Sequence, residues 1–240
     1  MKKNVIILTA GLAGSSVLTA LLSKAGYWVG DATIKKVDYD TWENAEVVEL
    51  NSKIFQETGF QEDWTMVYRP EFISRITQQA DNLDPKPFLD FIEKCSRHQP
   101  WVWKDPRFWL TIRHWRRFLD LSNLCFLVIR RDGMQYWIST TIRRQVQTFG
   151  HSRRYSESVH GSLLDFLRQE QASYVDILYE DLLITPEKVI DDINRCAGST
   201  LTLADFKKIF RGRIGRKQHG LKNFLHAAAV YLKNYPDRYR

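Results

Sequence analysis

The chain reads as an α/β protein with a mostly parallel central sheet flanked by helices. Three observations predict this. Residues 5–8, 101–103, 124–129 and 174–178 are short apolar runs with the length and composition of buried strands. The stretches between them carry apolar residues at helical spacing. Each apolar run is followed directly by a polar cluster, as expected where strands turn into helices along one sheet edge.

In chain order, the first run leads into Gly11, Leu12, Ala13, Gly14, Ser15 and Ser16, then into Val17, Leu18, Leu21, Leu22 and Ala25 at helical spacing, with Gly26 as the stop. Strand, Gly-rich turn and helix in this order leave backbone N–H groups unpaired at a helix N-terminus, a site for phosphate or sulfate. The turn has no Gly-Lys pair and no third glycine, so it matches neither the Walker A pattern nor the dinucleotide fingerprint. Residues 27–40 read as a loop holding two candidate donors, Lys35 and Lys36. Val47, Leu50, Ile54 and Phe55 predict a helix over 42–59, closed by Gly59. Helices are also expected over 71–80 and 88–95, punctuated by Pro70, Pro85 and Pro87.

The second run is followed by Lys104-Asp105-Pro106-Arg107 and a helix over 108–119. Residues 124–129 form the clearest strand, followed by Arg131-Asp132-Gly133 and a helix over 134–147 bearing Ser139 and Arg143. A polar loop is expected over 151–157 and an amphipathic helix over 160–171. The last strand ends in Tyr179-Glu180-Asp181, read as a structural strand end, and Pro186 opens a helix reaching about 197.

Composition bounds the function. The 240 residues are 44% hydrophobic and 13% aromatic, enough for a packed core and one domain over 1–240. No apolar run is long enough for a membrane span, and no signal peptide is read. Cys95, Cys125 and Cys196 are odd in number and scattered, which argues for a reducing cytoplasm and against a disulfide framework or a zinc site. The histidines show no metal-ligand spacing. The net charge of +7 is concentrated in a basic, helical tail over 207–240, with ten Lys or Arg against one acid. A solvated basic face, an anionic membrane, nucleic acid or a polyanionic small molecule all fit that tail alone.

If the four strands are parallel, the 11–16 turn, Lys104, Arg131 and Tyr179 all lie at carboxyl ends, on the edge where open α/β sheets bind ligands. An N–H cradle, a Lys and Arg residues on one edge suit a ligand with several negative charges. On these residues, in this order, the chain resembles the sulfotransferases that use 3′-phosphoadenosine 5′-phosphosulfate (PAPS). The matching pieces are the 11–16 turn, Trp42-Glu43-Asn44 with Glu49-Leu50-Asn51, Trp103-Lys104-Asp105-Pro106-Arg107, Arg131 and Ser139 eight residues apart, and Tyr179-Glu180-Asp181-Leu182-Leu183 with Pro186.

The resemblance implies a P-loop-NTPase-like fold and in-line transfer of a sulfuryl group to a hydroxyl or amine, with no metal required. It assigns Gly11, Leu12, Ala13, Gly14, Ser15 and Ser16 to the 5′-phosphosulfate, Arg131 and Ser139 to the 3′-phosphate, and Arg107, Arg216 and Lys217 to further phosphate contacts. Lys104 would stabilise the leaving phosphate. Glu43 is the first choice of general base, Asp105 the second and His114 the third. The family's turn usually carries a Lys or Arg, and 11–16 carries none, so Lys104, Arg107, Lys35 or Lys36 takes over or activity is weak or lost. A nucleotide-binding protein without turnover and a small-molecule kinase are the alternatives. The implied partner is a small-molecule or carbohydrate acceptor, with Trp28, Trp42, Trp64, Trp109 and Tyr136 available to line its pocket. A homodimer is allowed, and nucleic acid is disfavoured.

Overall fold

The structure, a computed structural model, describes residues 1–37, 40–60, 66–79, 82–210 and 220–235. Four strands form a parallel sheet: β1 (Asn4–Leu8), β4 (Val102–Lys104), β5 (Leu124–Arg130) and β6 (Ser173–Leu178), in the order β4-β1-β5-β6. The registers are parallel throughout, with Ile7 opposite Lys104 and Leu127, and Arg130 opposite Leu178. All four carboxyl ends therefore meet along one edge.

The sheet is buried on both faces, which is why its strands read as continuous apolar runs. Ile6, Leu8, Trp103, Phe126 and Val128 point into one core, shared with α2 (Ala45–Glu57), α4 (Lys86–Ser96), α5 (Phe108–Trp115) and α7 (Phe149–Gln169). Val5, Ile7, Val102, Cys125, Leu127 and Ile129 point into the other, shared with α1 (Ser15–Lys24), α8 (Asp181–Ile184), α9 (Pro186–Ala197) and α10 (Leu203–Ile209). A third, smaller cluster joins Trp137 and Ile138 of α6 (Gly133–Ile142) to Ala227 of α11 (Leu221–Lys233), which docks the tail beside the sheet edge. Helix α3 (Pro70–Gln79) adds its buried Ile76 to the first core, with Phe72 and Ile73 packed against it.

Three local expectations are corrected. Residues 42–59 are not one helix: β3 (Asp40–Asn44) pairs antiparallel with β2 (Thr33–Lys35), and the helix starts only after Asn44. Asn44 caps it, its Oδ1 accepting from the amides of Glu46 at 2.9 Å and Val47 at 3.4 Å. Residues 151–157 belong to α7, capped by Thr148, because the small side chains of Ser152 and Ser156 lie buried on the same helix face as Val159 and Leu163. The third correction concerns sulfur. Cys125 of β5 and Cys196 of α9 are joined as a disulfide across 5.6 Å between Cα atoms, leaving buried Cys95 as the free thiol. A spacing of 71 residues carries no information about that proximity, which arises when α9 packs on the sheet.

Candidate functional site

A cavity of about 860 Å³ opens at the carboxyl edge of the sheet. Its first wall is the turn after β1. Gly11 (φ +90°), Leu12 (φ +49°) and Gly14 (φ +88°) all take the left-handed conformation, which reverses the chain within a few residues. Gly14 is the N-cap of α1 and no side chain caps that end; Val17 N donates to the Gly14 carbonyl at 3.0 Å, and the amides of Ser15 and Ser16, at the cavity edge, have no intrahelical acceptor. Gly14 also has a packing reason: a Cβ there would lie 2.2 Å from the Tyr179 ring.

Lys104 ends β4 and is almost wholly buried. Its Nζ donates to Glu43 Oε1 at 2.7 Å and to Ser16 Oγ at 3.4 Å. Burial pushes its pKa below the ordinary lysine value, and the charge of Glu43 opposes that shift. Glu43 reaches Lys104 from β3, where Trp42 holds φ +59°, Asp40 Oδ1 accepts from the Trp42 amide at 2.7 Å, and the β2–β3 register shifts. An irregularity of this kind re-aims the next side chain. Lys104 thus pairs with Glu43, 61 residues away, and its neighbour Asp105 pairs with Arg107.

Asp105 is fully buried and does not line the cavity. Its Oδ1 accepts from Arg107 N at 3.0 Å and Arg107 Nη1 at 3.1 Å, and its Oδ2 accepts from Asn51 Nδ2 at 2.9 Å. Asn51 Oδ1 in turn accepts from Trp115 Nε1 at 2.8 Å. Burial raises the Asp105 carboxyl above its ordinary range, against the pull of Arg107 and Asn51. Arg107 does line the cavity. His114 sits in the aromatic core, 4.6 Å from Phe88 and 5.3 Å from Phe118 between ring centroids, and is fully buried away from the cavity.

Arg131 follows β5 and is nine-tenths buried. Its Nη1 donates to Ser139 Oγ at 2.5 Å and to the Leu12 carbonyl at 3.2 Å, tying the 11–16 turn to α6. Its guanidinium lies 4.3 Å from the Tyr179 ring centroid, and Glu180 Oε1 is 3.8 Å from its Nε. Burial lowers its pKa, with Tyr179 and Glu180 opposing. Asp132 caps α6 through the amides of Met134 and Gln135, which sets the helix phase that brings Ser139 to Arg131.

Among the described residues, five basic side chains line the cavity, Lys36, Lys104, Arg107, Arg131 and Arg143, against one carboxylate, Glu43. Gly11, Leu12, Gly14, Ser15, Ser16 and Ser139 line it too, whereas Ala13 is buried beneath the turn. Arg216 and Lys217 lie outside the described residues. The tail still reaches the site through Asn223 of α11. Of the aromatic candidates, Trp109 and Tyr136 line the cavity, Trp28 stacks on His98, and Trp64 lies outside the described residues.

Sequence reasoning set Tyr179 aside as structural, yet it lines the cavity and touches both Gly14 and Arg131. Its place at the carboxyl end of a parallel strand is the signal that marks it.

The sequence matches no family model and no curated protein. Two solved structures are similar along nearly the whole chain. One is the sulfotransferase domain of the Synechococcus PCC 7002 olefin synthase, with TM-score 0.56 and 15% identity over 94% of this chain and 84% of that one. The other is the sulfotransferase domain from the curacin biosynthetic pathway, with TM-score 0.52 and 16% identity over 95% of this chain and 83% of that one. The chain has the sulfotransferase fold. In this sulfotransferase fold, among the described residues, no helix is long and apolar enough to cross a membrane.

Proposed function

We propose that the protein transfers a sulfuryl group from PAPS to a hydroxyl or amine acceptor by in-line displacement. One observation carries the reading: the 11–16 turn, Lys104 and the Arg131–Ser139 pair converge on one cavity, lined among the described residues by five basic side chains and one carboxylate. These donors fit a ligand with negative charge at two ends. The first-turn amides of α1 with Ser15 and Ser16 would hold the 5′ end, and Arg131 with Ser139 the 3′-phosphate. PAPS supplies the activated sulfuryl group and a bisphosphate leaving group.

The chain's own residues divide the remaining work. Lys104, held between Ser16 and Glu43, places positive charge where negative charge develops as the bond to the leaving group breaks. Glu43, on the cavity wall, accepts the acceptor's proton. Asp105 acts as a positioning residue: both its oxygens are engaged, and it fixes Arg107 toward the cavity. The absence of a basic residue in the turn is offset by Lys104, which reaches Ser16 directly. Arg216 and Lys217 are proposed as further phosphate contacts on the strength of the family resemblance alone.

The test is calorimetric titration with adenosine 3′,5′-bisphosphate, adenosine 5′-monophosphate and ATP. The bisphosphate is expected to bind about tenfold or more tightly than the monophosphate, since a charge-assisted hydrogen bond contributes about 1.5–3 kcal/mol. Arg131→Ala should erase that difference. Preference for ATP would favour a kinase, and no nucleotide binding would overturn the reading. Tight bisphosphate binding with no donor turnover would support the nucleotide-binding alternative.

A further inference from the structure

The cavity lining has two chemical characters. The residues described above present amides, hydroxyls and guanidinium groups. Among the described residues, Val48, Phe55, Phe60, Met66, Phe72 and Trp109 also line it, and Phe55, Phe60, Phe72 and Trp109 share one apolar cluster. These side chains come from α2, the turn after it, the segment before α3, α3 itself and α5, so the wall is assembled by the fold rather than by one element. Phe60 stands 4.7 Å from Phe55 and 4.9 Å from Phe72 between ring centroids. Val48, Phe60 and Phe72 remain partly exposed, so their apolar surface is not consumed by the core.

The wall is anchored from behind. Arg113 of α5 donates to Ser162 Oγ at 2.7 Å and to the Trp109 carbonyl at 2.6 Å, which ties α5 to α7 beneath Trp109. His151 Nε2 donates to the Met66 carbonyl at 2.9 Å, and Met66 is held at φ +58°. Glu43, on β3, stands five residues before Val48, so the carboxylate assigned to the acceptor proton lies just ahead of α2, the helix that contributes Val48 and Phe55 to this wall.

We infer that the acceptor is an apolar alcohol or phenol, whose hydroxyl meets Glu43 while its ring system or alkyl chain covers the aromatic wall, and not a carbohydrate. The inference rests on the sulfuryl-transfer reading and sharpens it to a substrate class. A sugar carries a hydroxyl on nearly every carbon, and each must surrender water. On a wall of Phe, Met, Val and Trp side chains those hydroxyls find few partners, and every unpaired one opposes binding. Rings and methylenes gain by covering the same surface.

The experiment titrates the full chain, free and saturated with adenosine 3′,5′-bisphosphate, with 2-naphthol, 1-octanol and methyl β-D-glucoside. The nucleotide affinity is measured in the same series. 2-Naphthol and 1-octanol are expected to saturate, and the glucoside not. Phe60→Ser and Phe72→Ser should each weaken the apolar probes about tenfold or more, with nucleotide affinity and thermal midpoint unchanged. Phe72 is partly exposed on α3, so its substitution tests the wall even if Phe60→Ser destabilises the fold. Glucoside binding as tight as the apolar probes, no binding of those probes, or binding insensitive to both substitutions overturns the inference. Because the wall is already formed in the ligand-free protein, the titrations on free protein decide it even if nucleotide fails to bind, which separates its failure from failure of the sulfuryl-transfer reading.

Discussion

Lys104 and Glu43 form the pair on which chemistry would turn. Both are shielded, with side-chain exposures of 2% and 14%, so each charge depends on the other. Removing the lysine should therefore affect rate and architecture differently. Lys104→Ala is expected to lower donor turnover about 10²–10³-fold, the usual cost of losing one preorganised donor at a developing charge. Binding of adenosine 3′,5′-bisphosphate should change much less. The check is turnover followed as bisphosphate release, beside a calorimetric dissociation constant. Equal losses in both would remove the transition-state role assigned to Lys104. Gly14 and Tyr179 show a second dependence between distant residues: the turn can approach the ring only because its cap has no side chain.

Asn51, on α2, is the rivet between elements. It joins Asp105, after β4, to Trp115, at the end of α5, with both bonds buried. Asn51→Ala leaves a buried carboxylate oxygen and an indole N–H without these partners. The expected loss is about 2–4 kcal/mol, roughly two unsatisfied groups, read as a fall in chemical-denaturation stability. A loss below about 0.5 kcal/mol, the range of an ordinary surface change, would show that the bridge is not holding the elements. Because the same bridge orients Arg107, nucleotide affinity should fall as well.

Across the molecule, sulfur chemistry separates one buried free thiol from a bonded pair. Burial pushes the Cys95 thiol up to about 12 from 9.0, so the folded protein holds almost no thiolate there at pH 8.5. The sign follows: this pKa is raised on folding, so its contribution to stability is complete below pH 9 and is lost as pH rises toward 12. Iodoacetamide at pH 8.5 should leave the native protein unlabelled. Unfolding without reductant should expose one reactive thiol, Cys95, and unfolding with reductant three. Mass spectrometry reads the count; three labels without reductant would contradict the Cys125–Cys196 bond.

Much of this architecture is legible in the chain. The four apolar runs of the sheet, the glycine turn after the first and the basic residues after the second and third are local signals: burial on both faces demands apolar runs, and a chain reversal before a helix demands glycine. Element edges shifted where tertiary contacts outweighed local pattern. The segment 151–157 is helical because its serines face a packed core, and Glu43 sits on a strand because an irregular hairpin precedes α2. Within the site, the 11–16 turn, Lys104 and Arg131 could be marked by position after strands, and Ser139 by the family resemblance. The Glu43–Lys104 contact, the withdrawal of Asp105 into the Asn51–Trp115 bridge, the return of Tyr179 to the cavity and the Cys125–Cys196 bond could not. By itself the sequence determined a parallel sheet with a glycine turn and basic residues along its carboxyl edge, since strand and turn formation depend on neighbours a few residues away. Only the tertiary structure decided which charge meets which and which aromatics stay uncovered, because those outcomes depend largely on side chains brought together from distant parts of the chain, as Glu43 and Lys104 are from 61 residues apart.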